Sequence, residues 1–127
     1  MKDQEPKSDI TDLCMDLAKR IEPDGGLPGK TDEERICHSL VALLALLESD
    51  MAEAFLPHID RLIAFLESAK LDRFDESLRD LVRRVIELAR KQNPIPGKWS
   101  NLAASLILKG TTKVPSAWRD IQKVIPL

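Results

Sequence analysis

The longest apolar run of the chain lies between Ile36 and Leu47, where only His38 and Ser39 are polar. The segment Thr31-Asp-Glu-Glu34 before it is typical of a helix start, because a threonine hydroxyl can accept the third amide while the glutamate reaches back. A helix that is apolar on nearly every side must be enclosed by other helices. About twelve helical residues measure only ~18 Å, too short for a hydrocarbon layer of ~30 Å. The pattern therefore predicts a central core helix at about residues 32–49.

Other segments carry apolar residues at i, i+3, i+4 and i+7, the spacing of a helix with one buried face. The proline- and glycine-rich segments 22–30 and 93–98 interrupt this spacing, and no stretch alternates with the period of two that a strand requires. The predicted amphipathic helices cover residues 9–21, 57–69, 75–92 and 99–110, with a last one from residue 116. The sequence therefore predicts an all-α fold, a compact bundle of five to six amphipathic helices around the central apolar helix.

The domain organisation predicted from the sequence is simple. Residues 1–8 are polar and are expected to form a disordered lead-in, and residues 9–127 form a single helical domain of ordinary length. The first residues lack the apolar segment of a secretory signal peptide, and no apolar run is long enough for a transmembrane helix. The cellular location stays open, and we expect no membrane insertion.

The charge balance bears on the kind of partner. Charged residues make up 31% of the chain, but 19 basic and 21 acidic residues leave a formal charge of -2. Nucleic-acid binding usually draws its affinity from an excess of basic residues. The basic residues Arg79, Arg83 and Arg90 are interleaved with acidic ones at helical spacings, which is typical of a solvated face. We expect no nucleic-acid partner; the alternative, a helical nucleic-acid binder, predicts strongly salt-dependent binding.

The segment Gly25-Gly-Leu-Pro-Gly-Lys-Thr31 superficially resembles a phosphate-binding loop. That loop has four residues between its first glycine and the Gly-Lys pair and follows a buried strand. Here Gly25 leaves three residues, Asp24 stands where the glycine should be, and a predicted helix precedes the segment. The segment is therefore interpreted as a tight connector between two helices.

Reactive side chains are few. Cys14 and Cys37 fall on apolar stripes, where free cysteine behaves as a small hydrophobic residue. His38 and His58 have no neighbouring ligand at metal-binding spacing, so we expect no metal and no cofactor. If the chain is an enzyme, Cys37 and His58 are the first residues to test, because they could line a pocket between helices.

Three segments of the chain together resemble a known family. The loop Asp24-Gly-Gly-Leu-Pro-Gly29, the residues Glu34-Arg-Ile36 and the segment His58-Ile-Asp-Arg-Leu-Ile-Ala-Phe-Leu-Glu67 are similar to the C-terminal helical region of large bacterial proteins with a von Willebrand factor type A domain. Many of these also have the domain shared by vault proteins and inter-alpha-trypsin inhibitors. The metal-binding Asp-x-Ser-x-Ser run of the type A domain has no counterpart here. The resemblance therefore implies an accessory helical module and assigns no site residue.

The sequence thus favours a non-catalytic helical accessory or protein-interaction module of a larger bacterial protein. Its partner would be another protein or a neighbouring domain of the same chain. The residues predicted to form an exposed interaction surface are Asp24, Leu27, Pro28, Lys30 and Trp99, although Trp99 also fits a buried stripe. The alternative is a small stand-alone helical enzyme or ligand-binding protein with a pocket between helices.

Overall fold

The described part of the chain is helical and contains no strand. The computed structural model describes residues 6–49, 52–70, 72, 74, 76–91, 99, 103 and 104. Its four α-helices are α1 (Pro6–Arg20), α2 (Asp32–Glu48), α3 (Leu56–Ser68) and α4 (Glu76–Arg90), and a 3-10 turn at Ala52–Phe55 leads into α3. The predicted all-α class is confirmed for these residues. The last two predicted helices lie almost entirely outside them, although Trp99, Ala103 and Ala104 have helical backbone.

Helix α1 begins earlier than the sequence pattern predicts. It starts at Pro6, three residues before the expected cap at Asp9. Proline suits the first position of a helix, because its fixed φ is helical and its missing N–H would have no partner there. Residues 6–8 are therefore part of α1 in the structure; residues 1–5 lie outside the described part, and the predicted lead-in stays a prediction.

The start of α2 has the predicted cap at Thr31, but the side chain of Glu34 reaches one residue further back than expected. The Thr31 hydroxyl accepts the Glu34 amide at 3.1 Å, and the Glu34 carboxylate accepts the amide of Lys30, one residue before the cap, at 3.0 Å. Every side chain from Ile36 to Leu47 is buried, and α2 packs against α1, α3 and α4. Fully burying one leucine contributes about 1.5–3 kcal/mol, so this segment is a main source of the stability of the described core.

Contacts at the two ends of α2 fix the direction of α1. Cys14 hydrogen-bonds with Ser49 after the last turn of α2, and Glu22, just beyond α1, pairs with Arg35 in the first turn of α2. Helix α1 is therefore antiparallel to α2. Its end and the start of α2 are joined by the loop of residues 22–30.

Helices α3 and α4 complete the described core. Pro57 stands in the first turn of α3, as the sequence predicts, and an ion pair between Glu67 and Arg90 links the C-terminal ends of the two helices. The buried stripe of α4 consists of Leu78, Leu81, Val82, Val85, Ile86 and Ala89. Among the described residues, no helix has the length and apolar character needed to cross a bilayer.

Candidate functional site

The loop of residues 22–30, which we call the clamped loop, turns sharply on itself. The Glu22 amide donates to the Gly26 carbonyl at 2.8 Å, and the Gly25 amide donates to the Glu22 carbonyl at 2.8 Å. Asp24 closes the turn by accepting the Gly26 amide at 3.1 Å. Gly25 has a φ of 97°, a conformation that residues with a Cβ rarely adopt. The local fold of the loop thus depends on glycine at this position.

Arg35 of α2 holds the clamped loop from one side. Its Nε donates to the Leu27 carbonyl at 3.0 Å, and its Nη2 donates to the carboxylates of Glu22 and Asp24 at 2.8 Å each. The hydrogen bond from Arg35 is the main cause that lowers the pKa of Asp24 below its usual value. The hydrogen bond to Asp24 in turn raises the pKa of the guanidinium. One side chain therefore joins three points of the loop to α2.

His38 and Ser39, the two polar residues of the apolar run, also hold the loop against α2. The Leu27 amide donates to the Ser39 hydroxyl at 2.9 Å. His38 Nδ1 lies 2.9 Å from the Pro28 carbonyl, and because a carbonyl can only accept, this nitrogen carries the proton. Both side chains are fully buried. Ser39 thus satisfies a buried amide of the loop, and His38 holds the carbonyl of the next residue, Pro28.

Helix α3 holds the loop from its other side. Arg61 Nη2 donates to the Glu22 carbonyl at 2.9 Å. The Phe65 ring packs so closely that a Cβ added to Gly26 would lie 2.6 Å from it. The Arg35 guanidinium stacks over the same ring, 4.9 Å from its centroid. The clamped loop is therefore fixed by two helices at once.

The structure divides the predicted interaction surface into exposed and buried residues. Asp24, Pro28 and Lys30 are exposed, whereas Leu27 and Trp99 are each only 1% exposed. Both side chains pack in the hydrophobic core; the expectation that Leu27 is exposed is wrong, whereas Trp99 follows the buried stripe that its spacing indicates. Leu27 anchors the clamped loop there, and the Trp99 amide donates to a Glu48 carboxylate oxygen at 2.9 Å.

The residues to test first in an enzyme are not brought together. Cys37 is fully buried in the second turn of α2. His58 is half-buried in the first turn of α3, edge-on to Phe55 with ring centroids 5.8 Å apart. The first turn of α3 follows shortly after the C-terminal end of α2, and Cys37 lies about 16 Å along the helix from that end. The two side chains therefore do not form a catalytic pair.

The cysteines are free, as predicted. Cys14 lies beside Ser49, and Cys37 is twelve residues before Ser49, about 18 Å along the helix. A disulfide needs Cα atoms within about 7 Å, so this fold keeps the two thiols apart. Burial raises the pKa of the Cys14 thiol, and the hydrogen bond with Ser49 only partly offsets this.

Within the described residues, no three histidine, cysteine or acidic side chains are placed to bind a metal ion together.

A cleft of about 310 Å³ opens between the first turn of α2 and the C-terminal end of α3. Its lining includes Arg35 and Phe65, which also hold the clamped loop, and Lys70 and Phe74, which follow α3. No pattern in the sequence indicates this cleft, because residues 69–74 have no regular spacing of their own. The contacts that hold the loop were not predicted either; they involve Arg35, His38, Ser39, Arg61 and Phe65. The one available signal was the pair of polar residues inside an otherwise apolar helix.

Comparison with known proteins adds no assignment. No protein-family model, curated protein or solved structure matches this chain. The resemblance of the loop and its flanking helices to the helical region of von Willebrand factor type A domain proteins therefore stays a prediction.

Proposed function

We propose that this chain is a non-catalytic helical module of a larger bacterial protein, and that its clamped loop contacts a protein partner or a neighbouring domain. In this proposal the domain is a bundle of five to six helices around α2. The observation that carries the proposal is the clamped loop: its backbone is fixed from inside by α2 and α3, while side chains on its outer face remain exposed.

A loop held in this way is suited to recognition. Ordering one backbone residue costs about 1–2 kcal/mol, and a loop already ordered in the free protein does not lose this on binding. Binding residues are commonly found on loops positioned by a rigid scaffold. Pro28 and Lys30 offer a partner one apolar ring and one positive charge, both exposed.

The placement of the reactive groups favours a non-catalytic role. A nucleophile must be reached by its substrate and must lie beside a base. Cys14 and Cys37 are buried in the core, and His38 uses Nδ1 to hold the loop. These three side chains thus serve packing and the loop.

Site-specific photo-crosslinking tests the proposal. A photoreactive benzoylphenylalanine is placed at Lys30 in one variant and, as a control, at Arg83 in another. Arg83 is 71% exposed on α4, away from the loop. We expect the same protein to crosslink repeatedly from position 30 in source cells and not from position 83.

The crosslinked protein is then purified and its affinity measured. We expect Lys30→Glu to weaken binding at least tenfold (about 1.4 kcal/mol), and Arg83→Glu to leave it unchanged. Equal labelling from both positions, or affinity that is insensitive to Lys30→Glu, would contradict the proposal.

An immunoblot of source cells tests whether the chain is part of a larger protein. We expect a band well above 14.3 kDa, and an unprocessed band at that mass would refute this part of the proposal.

A further inference from the structure

The cleft between α2 and α3 has the composition of a small-ligand site. Two aromatic rings, Phe65 and Phe74, form part of its lining together with the apolar side chains of Ile36 and Ala69. Both rings are half-buried, so each keeps some surface that a ligand could cover. A volume of about 310 Å³ is at the lower end of the range for ligand pockets, which suits a molecule of one or two rings.

The charges around the cleft indicate the sign of the ligand. Arg35 is engaged by Glu22 and Asp24 through ion pairs of 2.8 Å, and Asp32 is also close enough to raise the Arg35 pKa. These three acidic groups, of which Asp32 also lines the cleft, more than compensate the charge of the guanidinium. Lys70 is exposed at the rim, and within the described residues no ion pair involves it. Among the described lining residues, its ammonium is therefore the positive charge that is still available to a ligand.

We propose that the cleft binds a small aromatic carboxylate or a similar planar anion. The ring system lies against Phe65 and Phe74, and the anionic group pairs with Lys70. This inference goes beyond the proposed function and does not depend on it, because it concerns a small molecule and a different set of exposed side chains.

Three ligands with the same ring system test the proposal: 2-naphthoate, the uncharged 2-naphthamide and the cationic 2-naphthylmethylammonium. Each is titrated into the full chain, and binding is followed by chemical-shift changes in two-dimensional NMR spectra. We expect 2-naphthoate to bind at least tenfold more tightly than the ammonium compound, with the amide between them. Equal affinities, or a preference for the cation, would overturn the proposal.

Protein variants locate the site. Lys70→Glu should abolish the preference for 2-naphthoate, whereas Lys91→Glu, the same charge change at an exposed residue directly after α4, should leave it intact. Phe74→Leu should weaken all three ligands together, because it removes aromatic surface without changing charge. Thermal melts of each variant separate loss of binding from loss of folding. A 2-naphthoate affinity that is unchanged in Lys70→Glu would refute the site.

Discussion

The substitution Gly25→Ala tests whether the clamped loop is fixed as the structure shows. Gly25 has a φ of 97°, and a Cβ at this position would lie 2.5 Å from the Arg61 carbonyl oxygen. Because ordinary contact begins at 3.4 Å, the loop and α3 must separate by about 0.9 Å. Arg61 also donates to the Glu22 carbonyl at 2.9 Å, and this separation would stretch that hydrogen bond as well.

Three effects make up the expected loss of stability. A residue with a Cβ in the left-handed region costs about 1–2 kcal/mol, and a weakened hydrogen bond adds about 1 kcal/mol. With the remaining crowding, we expect Gly25→Ala to lower the free energy of unfolding by about 2–4 kcal/mol. Domains of this size are stable by only about 5–15 kcal/mol, so the variant should still fold.

Urea unfolding followed by circular dichroism measures this difference. With a slope of about 2 kcal/mol per molar, in the middle of the usual range, the midpoint should fall by about 1–2 M. Lys30→Ala, an exposed side chain of the same loop, is the matched control and should stay within about 0.5 kcal/mol of wild type. Gly25→Asn separates the causes, because asparagine tolerates the left-handed region but brings the same Cβ. If Gly25→Ala lowers the free energy of unfolding no more than Lys30→Ala does, the described packing of the loop is refuted.

Three further predictions concern the loop and the thiols. Ser39→Ala leaves a buried loop amide unpaired and should cost about 1–3 kcal/mol in urea unfolding, whereas Ser68→Ala, at an exposed serine, should cost under about 0.5 kcal/mol; similar losses would contradict the buried contact. The lowered pKa of Asp24 stabilises the fold at pH values above its unfolded pKa of about 3.9 and this contribution is lost as the pH falls through the folded pKa. Asp24→Asn should therefore be less stable than wild type at pH 7 and nearly equal to it at pH 2. Because the carboxylate is half exposed, the difference in stability at pH 7 should be small. A difference that persisted at pH 2 would rule out the ion pair as its cause. Cys14 and Cys37 are buried, so a thiol reagent should modify them slowly in native protein and rapidly in urea; fast native modification would contradict their burial.

The helices could be predicted because their signals are local. Apolar spacing, the Thr31 cap and the proline near the start of α3 each involve only a few neighbouring residues, and the structure has helices in those places. The start of α1 was misplaced because both Pro6 and Asp9 are suitable first-turn residues, and the chain uses the earlier one. Local preferences therefore predicted the elements better than their ends.

The clamp on the loop could not be predicted in the same way. Arg61 and Glu22 are 39 residues apart in the chain, and no periodicity relates them. Leu27 was expected at the surface because it lies between glycines and prolines, yet its side chain reaches the core. Exposure in a loop depends on which helices lie beneath it, and that is a property of the tertiary fold.

The two polar residues of α2 connect these results. A histidine and a serine inside an apolar helix would each leave buried polar groups if nothing paired with them, at a cost of about 1–3 kcal/mol per group. In this fold the Ser39 hydroxyl and the Nδ1 of His38 pair with the clamped loop, whereas the buried Nε2 of His38 has no hydrogen-bond partner among the described residues. The loop in turn supplies Leu27 to the core. The loop and the first half of α2 therefore depend on each other, and a partner that contacts the exposed face of the loop would meet a surface whose shape is fixed by the core.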